Sequence, residues 1–315
     1  RKRRELSAVA DRTARIRAGD ILLFAVLRNE RVRLPYFLDY YRKLGVGHFL
    51  LVDNGSSDGS GDWLRGQEDV SLWHTDGSYR QSRYGMSWLN WLQLRHAHDH
   101  WAVTVDLDEF LVYPFCDSRP LRALTDWLDI CGQTSFGALL LDMYPRGPIG
   151  QAVYREGQNP FDVADWFDSG NYMIEPNPLY RNLWIQGGPR ARYFFPDAPE
   201  NAPSLNKIPL VRWRRDYAWV NSTHMILPRS LNRVYETHGG ERATGCLLHA
   251  KFLNTFPLRA AEEAERAEHF GEGIEYQAYR DKLSDQTQLW SRRSERFINW
   301  RQLEILGLMS KGNWA

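Results

Sequence analysis

Four short polar clusters in this chain hold residue types that can do chemistry, and each follows an apolar run. They are Arg28-Asn29-Glu30, Asp53-Asn54-Gly55-Ser56-Ser57-Asp58, His74-Thr75-Asp76 and Asp106-Leu107-Asp108-Glu109. Carboxylates two residues apart on an extended segment point the same way, and at a strand end one can face a ribose while the other faces a metal. Oxygen ligands of this kind suit a hard divalent cation, Mg²⁺ or Mn²⁺, and they also accept hydrogen bonds from a nucleobase or ribose. A cation held there would neutralise a leaving nucleoside diphosphate. Each cluster alone is ordinary turn chemistry, since Asn-Gly and Asp-Gly are turn formers. All four together, with Asp106 and Asp108 closing an apolar strand, point to a site.

The elements that must position these clusters alternate. Strands are predicted over 21–27, 48–52, 70–73, 102–105 and 136–143, and helical spacing over 34–44, 61–66, 86–100 and 121–130. Strands alternating with helices give an α/β fold with a mostly parallel central sheet flanked by helices. In such a sheet the carboxyl ends of the strands share one edge, where ligands bind. Residues 145–205 are rich in Pro, Gly, Asn and Trp and read as long ordered loops that display binding residues. Two further strands are expected over 207–213 and 218–225, a charged helix over 260–270, and a helical tail with Trp290, Phe297, Trp300 and Leu303 turned inward. The expected organisation is a basic extension over 1–19, one catalytic domain over 20–258 and a helical extension over 259–315.

Composition narrows the classes. The chain has 315 residues, 43% of them hydrophobic, with 13 Trp, which is ample for a core and excludes a disordered chain. Lys and Arg number 40 against 39 acids, a balance unlike that of a protein that coats nucleic acid. Cys116, Cys131 and Cys246 are scattered, with no C-x-x-C, as expected of a reducing compartment. No run approaches the ~18 apolar residues of a membrane span. Residues 5–18 can be drawn as a basic amphipathic helix on a membrane surface, but a solvated terminus is the favoured reading. Neither G-x-G-x-x-G nor G-x-x-x-x-G-K-[ST] follows a strand, which argues against a dinucleotide oxidoreductase and a P-loop enzyme. His96, His98 and His100 cluster at a helix end, but Ala97 stands where H-E-x-x-H needs Glu, and a helix C-terminus favours cations in any case.

The ordered set Leu27-Arg28-Asn29-Glu30, Val52-Asp53-Asn54-Gly55-Ser56-Ser57-Asp58-Gly59 and Asp106-Leu107-Asp108-Glu109-Phe110 resembles nucleotide-sugar glycosyltransferases of the GT-A fold. The nearest group is the family-two-like one with a D-x-D-E-F strand end. Lys207-Ile208-Pro209-Leu210-Val211-Arg212 followed by His224, and Leu248-His249-Ala250-Lys251-Phe252, extend the likeness over residues 20 to 255. The resemblance implies that Asp53 accepts a hydrogen bond from the base and that Asp106 holds the ribose and shares the metal. It implies further that Asp108 ligates the metal directly and that His249 adds a ligand. Arg28, Asn29, Glu30, Gln81, Arg83 and Leu107 fall where the family approaches the nucleotide sugar. Arg28 departs from the aromatic often found there, although a guanidinium plane also stacks on a base. Lys207 and Lys251 either counter diphosphate charge or lie along the surface.

The implied reaction is inverting hexosyl transfer from a nucleotide-sugar donor, UDP-linked by preference, to a glycan or glycolipid hydroxyl. It depends on Mn²⁺ or Mg²⁺, and the enzyme is cytoplasmic or peripheral to the inner membrane, working in polysaccharide assembly. Such a displacement needs a carboxylate to take the hydroxyl proton. Asp142, at the end of the fifth strand, ranks first and Asp216 next, with Asp165, Asp168 and Glu175 open. Trp166, Trp184, Trp213 and Trp219 either stack on sugars or pack the core. A sugar-nucleotide pyrophosphorylase is the enzymatic alternative, weakened by the lack of glycine at residues 27–30. A dehalogenase-type phosphatase would put its D-x-D after the first strand. A non-catalytic carbohydrate-binding protein on the same fold is the remaining reading.

Overall fold

In the computed structural model, which describes residues 5–235, 242–257, 260, 279 and 282–314, the apolar runs become the middle of one large sheet. In chain order the first half holds β1 (Ser7–Ala10), β2 (Ile21–Leu27), α1 (Leu34–Leu44), β3 (Val46–Asp53), α2 (Ser60–Arg65), β4 (Val70–His74), α3 (Met86–His96), β5 (Trp101–Thr104), β6 (Glu109–Val112), α4 (Leu121–Ile130) and β7 (Ser135–Asp142). The second half holds β8 (Trp166–Asp168), β9 (Tyr172–Asn177), β10 (Asn182–Gly187), β11 (Asn206–Arg212), β12 (Ala218–Asn221), β13 (Met225–Leu227), β14 (Gly245–His249), β15 (Ser294–Arg296) and a last helix, α5 (Trp300–Ile305).

Among the described residues the main sheet has nine strands in the order β1-β4-β3-β2-β5-β11-β7-β14-β6. Strands β2, β3, β4, β5, β7 and β14 run one way, and β1, β11 and β6 run against them. The sheet is therefore mostly parallel, as the alternation predicts. Successive residues of β2 divide between its two faces. Leu23 and Ala25 pack with Phe37, Leu38 and Tyr41 of α1 and Leu124 of α4, while Leu22 and Phe24 pack with Trp88, Leu89 and Leu92 of α3. Burial on both faces is why the strands read as continuous apolar runs. Helix α1 buries Leu34, Phe37, Leu38, Tyr41 and Leu44 as one stripe and stops at Gly45, whose φ of 101° closes the last turn.

Several elements differ from the sequence reading. The expected basic extension supplies the edge strand β1, paired antiparallel with β4, rather than a surface helix. Arg12 ties it down, Nη1 donating to the Val70 carbonyl at 3.0 Å. Strand β6 was not anticipated; it begins inside the acidic motif and pairs with β14. The region 145–205 is not loop alone, since β9 and β10 form a hairpin in full register from Tyr172↔Gly187 to Asn177↔Asn182. The strand expected over 218–225 is broken by a turn over Ser222–His224. In the tail Trp300 and Leu303 are buried, α5 carries both of them, and residues 294–296 form the strand β15 paired with β8 rather than helix. The charged helix of 260–270 and the basic residues 1–4 lie outside the described residues, except Ala260. Among the described residues no helix is long and apolar enough to cross a membrane.

Candidate active site

Because six strands share a direction, their carboxyl ends line up, and a cleft of about 620 Å³ opens over the middle of that edge. Its lining includes Arg28, Glu30, Asn54, Asp106, Leu107 and Asp108 from the strand ends, Trp184, Gln186, Glu200 and His224 from the later segments, and Lys207, Arg190, His249 and Lys251. Lys207 reaches this edge because β11 runs backwards, so that its start lies where the parallel strands end.

Two buried charge networks build the floor. In the first, Glu109 accepts the Asp106 amide N–H at Oε2 (3.1 Å), and its Oε1 lies 2.9 Å from Lys207 Nζ. Both side chains are almost fully buried, at 1% and 4% exposure. Burial works against the Lys207 charge, but Glu109 and Asp106 keep its pKa above the usual lysine value. Asp106 turns its carboxylate into the cleft, with 54% of the side chain exposed and Oδ2 3.8 Å from Lys207. Desolvation in the cleft wall, then Glu109, push its pKa up against the pull of Lys207.

The second network runs through β7 and β14. Asp142 and His249 are direct partners in that parallel pair, so their side chains project side by side. Asp142 accepts from His249 Nδ1 at 2.6 Å and from Arg190 Nε at 2.7 Å. Burial would raise the Asp142 carboxyl, but the Arg190 charge and then His249 hold it at about 2. His249 Nε2 faces Asp108 Oδ2 at 3.4 Å. Burial alone would lower the imidazole, yet Asp108 and Asp142 together raise it to about 9. Asp108 in turn sits at about 2, because His249, with Lys251 adding to it, outweighs the effect of burial.

The other expected site residues divide between the cleft and its supports. Arg28 lines the cleft with Nη1 donating to the carbonyls of Asn54 (2.8 Å) and Gly55 (2.9 Å). Glu30 is buried against Arg33 at 2.9 Å. Lys251 lines the cleft with Nζ over the rings of Tyr279 (4.8 Å) and Phe256 (5.3 Å). Asp53 is buried off the cleft, accepting the Ser56 N–H at 2.9 Å, and the neighbouring Asn54 faces the cleft in its place. Asn29, at φ 52°, closes the same turn by accepting the Ser57 N–H at 2.8 Å. Gln81 and Arg83 lie exposed, away from the cleft lining, while Tyr79 and Tyr84 of that segment reach it.

The carboxylates considered as base are mostly committed elsewhere. Asp142 is locked as described. Asp216 lies past Arg212, whose register partner Trp101 starts β5, so the antiparallel β11 carries Asp216 to the opposite edge of the sheet. Asp168 is held by Tyr144 and by Arg192 at 3.0 Å, and Asp165 by Arg296 at 2.5 Å. Glu175 is exposed on β9. Trp213 and Trp219 are fully buried, Trp166 packs on Trp290, and Trp184 alone of the four lines the cleft. His96 packs on Trp73, His98 pairs with Asp99 and His100 bonds the Asp20 carbonyl, so the three share no site.

Arg190, Arg33, Tyr79 and Tyr84 were not singled out from sequence, and Glu109 stood in the acidic motif without a role. Arg190 had one signal, the pair Gly187 and Gly188, at φ 145° and 64°, that bends the chain back to the sheet. For the metal, among the described residues no three His, Cys, Asp or Glu side chains form a ready cage. What exists is the Asp108–His249 pair with Asp106 beside it, the imidazole oriented by a carboxylate at its other nitrogen. That fits a cation that takes few protein ligands and completes its shell from substrate phosphate and water.

No family model and no curated protein matches the chain. Solved structures do. One is a 4-diphosphocytidyl-2C-methyl-D-erythritol synthase, 16% identical, with a TM-score of 0.26 over 45% of this chain and 66% of that one. Another, from Bacillus anthracis, is described as a glucose-1-phosphate thymidylyltransferase in complex with a sucrose; it is 12% identical, with a TM-score of 0.27 over 45% of this chain and 65% of that one. The match spans just under two thirds of each of those chains.

Proposed function

We propose that this chain is a transferase acting on a nucleoside-diphosphate sugar, and that it moves the sugar to an acceptor hydroxyl with inversion. The observation that carries this reading is the arrangement of Asp106, Asp108, His249 and Lys207 at one end of the cleft. A half-exposed carboxyl at Asp106 and a charged carboxylate at Asp108, beside a buried ammonium, suit a ligand that brings both hydroxyls and phosphates. Asp106 would accept from the ribose, and Lys207 would add positive charge beneath the diphosphate. Asp108 and His249 would hold Mn²⁺ or Mg²⁺, which when bound supplies charge neutralisation for the leaving diphosphate. Asp142 serves as an orienting group: it accepts from Nδ1 and thereby directs Nε2 of His249 toward Asp108. A UDP-sugar donor, a glycan or glycolipid acceptor and a cytoplasmic place in polysaccharide assembly belong to the same proposal; the free thiols fit it.

The second reading is nucleotidyl transfer from a nucleoside triphosphate to a sugar phosphate. Five cations line the cleft (Arg28, Arg33, Arg190, Lys207 and Lys251), which is enough for a triphosphate. Glycosyl transfer is preferred because Arg33, Arg190 and Lys207 are each neutralised by a buried acid, and Arg28 is bonded to loop carbonyls.

The test uses the purified chain. Thermal shift against UDP-, GDP- and CMP-sugars with and without Mn²⁺ identifies the donor, because a ligand of the native state raises the melting temperature. Mass spectrometry then separates the reactions. Glycosyl transfer releases a nucleoside diphosphate from the nucleotide sugar; nucleotidyl transfer makes pyrophosphate from a triphosphate and a sugar 1-phosphate. Asp108→Ala and Asp108→Asn are expected to abolish the Mn²⁺-dependent shift, and an unchanged shift in both overturns the metal assignment.

A further inference from the structure

We infer that the part of the cleft lined by Trp184, Gln186 and His224 is a carbohydrate acceptor subsite, with Trp184 as the platform for a pyranose ring and His224 as the base that takes the acceptor proton. This rests on the glycosyl-transfer reading above. Trp184 and Gln186 are two apart on β10 and both line the cleft, while Ile185 between them is buried at 5% exposure. Strand β10 thus presents Trp184 and Gln186 to the cleft and Ile185 to the core. A half-buried indole in a cleft is suited to the C–H face of a pyranose, whereas Trp213 and Trp219 are spent on packing.

The His224 ring lies 6.5 Å from the Trp184 ring, inclined at 50°, and lines the same cleft. Its segment, the turn Ser222–His224, is entered through Ser222 at φ 46°, a left-handed conformation that a serine holds only under constraint from its surroundings. His224 Nδ1 sits 2.5 Å from the Asn206 carbonyl oxygen. A carbonyl only accepts, so Nδ1 carries the hydrogen, and the neutral ring holds its lone pair on Nε2. Asn206 immediately precedes Lys207 on β11, so one strand positions both the imidazole and the ammonium of the donor end. The acids in the cleft wall are otherwise engaged: Glu30 with Arg33, and Glu109 with Lys207. Glu200, exposed and lining the same cleft, is the competing base.

The step balances as a single displacement. The acceptor O–H bond breaks and its proton goes to His224 Nε2. The oxygen bonds the anomeric carbon, the bond from that carbon to the diphosphate oxygen breaks, and its electron pair leaves with the nucleoside diphosphate.

Donor binding is measured first, by thermal shift with UDP- and GDP-sugars plus Mn²⁺. Methyl pyranosides of glucose, galactose and mannose are then tested by saturation-transfer NMR in the presence of the nucleoside diphosphate, and as acceptors. Trp184→Ala is expected to weaken pyranoside binding at least ~10-fold with donor affinity kept, and Trp184→Phe to retain part of it. His224→Ala is expected to slow transfer ~100-fold or more, added imidazole restoring part of the rate. Absence of any donor binding in the wild type defeats the function proposed above. Donor binding without pyranoside binding, or equal pyranoside binding in Trp184→Ala, defeats the acceptor platform. Loss of rate in His224→Ala without imidazole rescue, or a near-normal rate there alongside a ~100-fold loss in Glu200→Gln, defeats His224 as base.

Discussion

His249 meets Asp142 across the parallel β7–β14 pair, as a direct register partner and with Nδ1 2.6 Å from Oδ1. The carboxylate ranked first as the base is thus a support for the expected metal ligand. Asp142 also neutralises Arg190, at 2.7 Å and 4% exposure. Asp142→Ala should therefore cost about 3–5 kcal/mol, the range for removing one partner of a buried ion pair. Asp142→Asn should unfold closer to wild type in urea yet lower Mn²⁺ affinity ~10–100-fold by calorimetry, as loss of a ligand's orienting partner does. Equal Mn²⁺ affinity in Asp142→Asn and wild type would show that the pair has no orienting role.

The pH dependence of the metal-free protein has a definite sign. His249 is raised from an ordinary value of 6.5 to about 9 in the folded state, so the folded chain binds the proton more tightly between those values. Its stabilising contribution is whole below about 6.5 and is lost as pH rises through about 9. Asp108 and Asp142, both lowered to about 2, contribute stability that is present above the usual carboxylate value of 3.8 and lost as pH falls through about 2. Urea midpoints from pH 6 to 10 in EDTA should fall across the upper window, and His249→Gln should flatten that fall. A cation at Nε2 competes with the proton, so Mn²⁺ affinity should climb over the same window.

Lys207 and Glu109 should behave as one unit. Both are buried and 2.9 Å apart, so Lys207→Met strands a buried carboxylate and should cost about 3–5 kcal/mol. Lys207→Met with Glu109→Gln should cost less than the sum of the single changes by more than about 1 kcal/mol, as contacting residues do in a double-mutant cycle. Additive urea stabilities would mean the contact contributes nothing.

The base of the β9–β10 hairpin depends on Gly187. Its φ is 145°, and a Cβ there would overlap the Asn171 carbonyl oxygen. Gly187→Ala should destabilise the chain by about 1–3 kcal/mol, the cost of a strained backbone position. Hydrogen exchange should show faster exchange at the amides of Tyr172–Asn177 and Asn182–Gly187 than in β2 or β3. Uniform change across the sheet would show that the hairpin is not a separable unit.

The alternation of apolar strands and helices was enough to establish an α/β chain with a mostly parallel sheet, and it assigned Asp106 and Asp108 to the carboxyl edge, whereas β14, which brings His249 there, was not among the predicted strands. That much is local: periodicity reports burial, and the last polar residue of a parallel strand lies at the carboxyl edge wherever the strand sits in the sheet. What periodicity does not carry is direction and partnership. Lys207 lies at the start of β11 and Asp216 follows it, and the antiparallel insertion of β11 between β5 and β7 sends them to opposite edges. Asp142 reads as an available carboxylate until Arg190 arrives from a distant part of the chain and His249 from the neighbouring strand. Trp184 is one tryptophan among several until β10 turns it to the cleft. A strand's burial is written in its own residues, whereas the charge state of a buried acid is decided by groups far along the chain that only folding brings within a few ångströms.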